Sequence, residues 1–127
     1  MLDHITFSVT DIARSKAFYD AALKPLDIRV LFEVTPEQSG SAHFMGYGDQ
    51  RPFFWIAAGD GLTGRLHVAF TAKDRATVDA FYRAAMAAGG KDYGAPGLRP
   101  HYHANYYGAF VLDPDGHNIE AVCHEAQ

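Results

Sequence analysis

Two histidines and one glutamate stand out for the chemistry they could share. His4 and His67 lie 63 residues apart and hold the same place in two copies of one segment; Glu120 sits in an alternating run near the end of the 127-residue chain. Laid over one another without a gap, residues 4–23 and 67–86 match at His4/His67, Phe7/Phe70, Asp11/Asp74, Ala13/Ala76, Ala17/Ala80, Phe18/Phe81, Tyr19/Tyr82, Ala21/Ala84 and Ala22/Ala85. Self-similarity at a fixed offset marks a structural unit used twice. Two imidazoles and a carboxylate form a facial set that holds a divalent first-row ion and leaves coordination positions open. A catalytic metal needs those positions, because water or substrate must occupy them. Taken singly, each residue has a plainer reading: a histidine near a strand end is commonly a surface group, and a strand glutamate a solvated carboxylate. The duplication, which keeps histidine twice, and a shared face for all three favour the metal.

That shared face follows from the pattern of the strands. In residues 2–9, Ile5, Phe7 and Val9 alternate with His4, Thr6 and Ser8, which marks a strand with one apolar side. Asp11 caps a helix running to about Leu23, where Lys24-Pro25 stops it. Strands are expected at Ile28–Val34, Ala42–Tyr47 and Phe53–Ala58, with a turn or loop at Pro36–Ser41 and a hairpin through residues 48–52. The glycine-rich stretch from Gly59 to Gly64 falls where the repeat predicts a junction. In Arg65–Ala72, Val68, Phe70 and Ala72 take the apolar side and His67 the other; Asp74 caps a second helix that Gly89-Gly90 ends. A short strand at Lys91–Gly94, a loop at Ala95–Ala104, a strand at Tyr106–Leu112, a tight Asp113-Pro114-Asp115-Gly116 turn and a strand at His117–Cys123 complete the chain. The expected class is α+β: two βαβββ modules in tandem, residues 1–60 and 65–127, forming a single domain. In the last strand Ile119, Ala121 and Cys123 face the helix, so Glu120 faces as His4 and His67 do, on the helix-free side.

Composition narrows the function from outside. At 48% hydrophobic, the chain can bury a core of its own. A net charge of −4 argues against nucleic acid, since nothing here neutralises a phosphate backbone. No run approaches the roughly 18 apolar residues of a membrane span, and the N-terminus shows no secretory pattern. The lone Cys123 cannot form an internal disulfide and fits a reducing cytoplasm, the expected location.

The segment Pro96–His103, followed by Tyr106 and Tyr107, is the candidate for substrate contact. His101 and His103 could move protons near neutral pH, and Arg99 could hold an anionic group. The competing reading is a tyrosine-rich loop packed on a neighbouring subunit. Trp55 is expected to line the cavity or the core. Phe18-Tyr19 and Phe81-Tyr82 read as helix core, and His43, His117 and His124 as structural or exposed.

The opening strands Asp3-His4-Ile5-Thr6-Phe7 and Leu66-His67-Val68-Ala69-Phe70, and the ending Asp113–Val122, resemble the vicinal oxygen chelate superfamily, which includes glyoxalase I, bleomycin-resistance proteins and extradiol dioxygenases. The resemblance covers nearly the whole chain. It implies two sheets, each forming half of a metal-enclosing barrel, and a homodimer. It implies that His4, His67 and Glu120 hold one divalent ion, whether Fe, Ni, Zn or Mn. The fourth ligand position of glyoxalase I has no counterpart here: the 63-residue offset sets Ala57 opposite Glu120. Extradiol dioxygenases carry a tyrosine ten residues before the glutamate, where this chain has Phe110. The expected function is a glyoxalase-like lyase or isomerase that chelates a small substrate through adjacent oxygens. In that reading Glu120, His101 and Tyr107 are catalytic, while Arg99, His103 and Trp55 bind substrate. A ring-cleaving dioxygenase and a metal-free binding or resistance protein are the alternatives.

Overall fold

The computed structural model describes all residues from Met1 to Gln127. The first alternating run forms β1 (Ile5–Val9), with Phe7 and Val9 buried and Thr6 exposed. Asp11 caps α1 (Ile12–Ala22) by accepting a hydrogen bond from the Arg14 N–H at 3.1 Å. Pro25 lies in a 3-10 turn over Lys24–Leu26. Then follow β2 (Arg29–Val34), α2 (Pro36–Ser39), β3 (Phe44–Gly48) and β4 (Pro52–Ala58). The expected turn at Pro36 thus winds into one helical turn, because Thr35 and Gln38 cap each other's backbone N–H reciprocally. The second copy repeats the order with β5 (His67–Thr71), α3 (Arg75–Ala87), β6 (Lys91–Leu98), β7 (Tyr107–Leu112) and β8 (Asn118–Cys123). Asp74 caps α3 through the Thr77 N–H at 2.8 Å, as Asp11 caps α1.

Two four-stranded sheets result, β1-β4-β3-β2 and β5-β8-β7-β6, each with its first two strands parallel and the others antiparallel. The tandem βαβββ reading holds. The sheets share no strand pairing, so no barrel closes within the chain.

Two expectations are corrected by register. β6 continues to Leu98 instead of stopping near Gly94, because Gly94 (φ 154°) and Gly97 absorb breaks in its pairing with β7. The residue structurally matching Glu120 is Trp55, not Ala57. Thr6 pairs with Trp55 as Ala69 pairs with Glu120, and Thr6 and Ala69 are the matched positions of the repeat. The second copy holds two more residues between its first and last strands, which shifts the equivalence.

A core of 21 buried residues draws on both modules. At its centre Phe54 meets Phe7, Tyr19, Tyr47 and Phe70 edge-on, with ring centres 5.0–6.2 Å apart. Tyr82, expected in the helix core, is only half-buried, and its hydroxyl donates to Asp92 at 3.0 Å. The Asp113–Gly116 turn ties the modules together. Tyr19 donates to Asp113 at 2.5 Å, and burial, then the Asp113 charge, push its phenol well above the ordinary range. Asp113 also accepts from the N–H groups of Asp115 and His117, and Asp115 accepts from the Thr10 N–H and hydroxyl. That turn sets the entry of β8, and so the position of Glu120. No helix is long and apolar enough to cross a membrane.

Candidate metal centre

β5 and β8 are parallel neighbours, and their outward positions carry the site. His67 pairs with Asn118 and Ala69 with Glu120, so the two side chains rise from adjacent strands on one face. His67 Nε2 lies 2.8 Å from Glu120 Oε1. Gly108 on β7 leaves the carboxylate its room: a Cβ there would come within 3.2 Å of Glu120 Oε2.

Glu120 is 1% exposed, and no lysine or arginine pairs with it. A buried carboxylate needs hydrogen bonds or a cation to offset lost hydration. It has two partners, His67 on one oxygen and the Tyr106 hydroxyl on the other. Burial, then the contact with Glu120, push the Tyr106 phenol well above its ordinary range, so it stays protonated and donates at neutral pH. Tyr106 thereby takes the place expected of Tyr107. Tyr107 lies on the opposite face of β7, where it donates to Asp79 of α3 at 2.7 Å and stacks under Arg75. Strand residues one apart point to opposite sides: Tyr106 is in phase with Gly108 and Phe110, which pair on Glu120's side, and Tyr107 with the buried Ala109 and Val111.

The donors fit a divalent ion as far as they go. Cis ligands about 2.1 Å from a common ion are about 3 Å apart, close to the His67–Glu120 spacing. The third expected ligand is elsewhere. His4 is exposed at the start of β1, where Nδ1 contacts Asp3 at 2.7 Å. No group of three or more His, Cys, Asp or Glu side chains converges within the chain.

A cleft of about 390 Å³ opens beside His67, lined by Tyr93, Gly94, Arg99, Tyr102, Phe110 and Asn118 as well. Arg99 is thus brought to the His67 side. His101 is exposed, with its ring 4.3 Å from that of Tyr102, which packs in turn on Tyr106. His103 pairs with His124, Nε2 to Nδ1 at 2.5 Å, and both rings flank Tyr106. Trp55 lies on the other sheet, stacked on Phe32 and over Gly46. Its place in the pattern puts an aromatic surface where module two has the Glu120 carboxylate. His117 is structural: it is buried, and its Nδ1 accepts from the Leu66 N–H at 3.1 Å.

Tyr106→Phe removes a hydroxyl without touching the core. The expected result is metal affinity weaker by roughly tenfold to a hundredfold, as for other groups that orient a ligand, with an unchanged circular dichroism spectrum. Unaltered affinity would show that Tyr106 does not position Glu120.

Solved structures share this architecture over nearly the whole chain. A glyoxalase/bleomycin resistance protein from Albidiferax ferrireducens T118 has 28% identity and a TM-score of 0.77, over 97% of this chain and 98% of that one. The fosfomycin resistance protein FosX of Listeria monocytogenes, crystallised with Mn(II) and sulfate, has 19% identity and a TM-score of 0.71, over 98% and 93%. An E144Q mutant of glyoxalase I from Zea mays has 24% identity and a TM-score of 0.71; the match spans 95% of this chain and 46% of that one. For the latter two the likeness is one of fold. Among curated proteins none matches the sequence. The model of the Glyoxalase/Bleomycin resistance protein/Dioxygenase superfamily matches residues 1–121, and the chain belongs to that superfamily.

Proposed function

We propose that this protein is a metal-dependent, glyoxalase-like enzyme of the lyase or isomerase type, acting on a small substrate with two adjacent oxygens. The observation that carries this reading is the contact of His67 Nε2, on a residue that lines a cleft, with the buried Glu120 Oε1 behind it. His67 and Glu120 would hold a divalent ion, with His4 of a second copy as third ligand. His4 is free of the core, and it immediately precedes β1 at the repeat position that His67 holds as the first residue of β5. A homodimer that sets the outward face of one sheet against that of the partner's other sheet would close the barrel and bring Trp55 over the cleft. The Mn(II) in the FosX crystal supports a first-row ion for this fold.

A divalent ion bound there supplies Lewis acidity toward adjacent substrate oxygens. The chain's own residues do the rest. Tyr106 holds one oxygen of Glu120 and keeps the other directed at His67. His101, exposed above Tyr102, is placed to exchange protons with solvent. Arg99 and the aromatic walls hold the substrate's body.

Elemental analysis of protein purified without chelator or added metal tests the reading. About one equivalent of nickel, zinc or manganese per chain is expected. A metal-free protein that also fails to take up metal would leave the binding-protein alternative. Tyr106 supplies a phenol beside Glu120 despite Phe110, and that keeps ring cleavage as a second reading. Iron in the purified protein and a ring-opened product from catechol would favour it. Light scattering is expected to give twice the 13.9 kDa chain mass. A monomer at micromolar concentration that still binds metal tightly would exclude the shared site.

A further inference from the structure

Arg99 is held in an unusual way for a surface arginine. Its guanidinium carbon sits 5.5 Å from the centre of the Phe110 ring, and Nη2 donates to the Ala95 carbonyl at 2.8 Å. Backbone without side chains flanks it: a Cβ at Gly94 would lie 3.2 Å from Nη2, and one at Gly97 3.1 Å from Nη1. Stacking, one hydrogen bond and two glycines therefore fix the group, while most of its five N–H donors stay unused. No carboxylate pairs with it. It is the only permanent cation lining the cleft, which holds no acidic residue. Phe110 joins this group to the site, its ring centre 6.1 Å from that of His67.

A second polar group in the same cleft also lacks a partner. Asn118, paired with His67 in the β-ladder, lines the cleft, and its amide oxygen is buried without a hydrogen bond. Buried polar atoms are normally satisfied, so an orphan beside an open cleft points to a bound group that completes it.

We propose that Arg99 forms a carboxylate subsite in this cleft, with Asn118 contacting a second, neutral polar group, so that the substrate is a small monocarboxylate. The inference rests on the reading of this cleft as the substrate site. One guanidinium with no lysine beside it balances one negative charge, and its planar fork matches a carboxylate in two parallel hydrogen bonds. In the metal-free protein a phosphate or phosphonate dianion would leave one charge unbalanced at this guanidinium.

The test titrates benzoate, its neutral isostere benzamide, and phenylphosphonate into metal-free protein, observing the arginine Nε–H signals by NMR. Benzoate is expected to shift the Arg99 signal and to bind roughly tenfold or more tighter than benzamide. Arg99→Gln is expected to abolish that preference, and Arg99→Lys to retain part of it. Equal binding of benzoate and benzamide, or a preference that survives Arg99→Gln, would overturn the subsite. Tighter binding of phenylphosphonate than benzoate would overturn the monocarboxylate assignment. Benzohydroxamate, a chelator through adjacent oxygens, is titrated separately into zinc-loaded protein. Its failure to bind would count against the metal reading alone, since the benzoate arm needs no metal.

Discussion

Glu120→Ala is expected to lower metal affinity by at least roughly a hundredfold, since loss even of a group that merely orients a ligand costs tenfold to a hundredfold. The fold should survive. Glu120 faces away from the helices, its substitution frees Tyr106 to bond with water, and no lysine or arginine is left without its counter-charge. The change removes two hydrogen bonds, to His67 and Tyr106, together with the cost of keeping a carboxylate out of water, and these terms oppose each other. Glu120→Gln separates shape from charge: it keeps the volume and the Tyr106 contact but supplies a poor ligand. Metal content by mass spectrometry and thermal unfolding, with and without chelator, read the two effects apart. A Glu120→Ala protein that still carries one equivalent of metal would remove this residue from the ligand set.

Phe54→Ala is expected to have the largest effect on stability, about 3–5 kcal/mol. Phe54 is fully buried, and its ring touches Phe7 and Tyr47 of its own module, Tyr19 of α1 and Phe70 of the other module. Neighbours from two sheets and a helix cannot collapse together into the space left behind. Domains of this size are stable by only about 5–15 kcal/mol, so the variant should melt at least about 10 °C lower. Leu62→Ser, in an exposed linker position, should move stability by no more than about 0.5 kcal/mol. A Phe54→Ala loss below about 1 kcal/mol would show that the modules do not share one core at this point.

The sequence by itself determined the elements that local physics controls. The alternation of apolar and polar residues decided which side chains of β1, β5 and β8 face outward, because strand side chains change sides at every step. Asp11 and Asp74 decided where the helices begin, since a short carboxylate satisfies N–H groups that a helix start leaves open. The repeat implied two like sheets, and both have the same strand order. It also directed attention to His67 and Glu120, which the fold brings within hydrogen-bonding distance.

What depends on register was decided by tertiary structure. Trp55 rather than Ala57 matches Glu120, because pairing with β1 aligns the last strands and offset counting does not. Tyr106 rather than Tyr107 meets the carboxylate, because pairing of Phe110 with Glu120 puts the positions in phase with Tyr106 on Glu120's side and those in phase with Tyr107 in the core. The carboxylate's need for room is met by Gly108, whose role no residue pattern announces. His4 shows the same limit from the other direction. Its place in the repeat is legible, yet what it faces depends on how sheets are arranged, and within one chain the two sheets do not bring it to His67 and Glu120. Alternation sets the side of a sheet on which a residue lies; only packing between sheets sets its neighbours there.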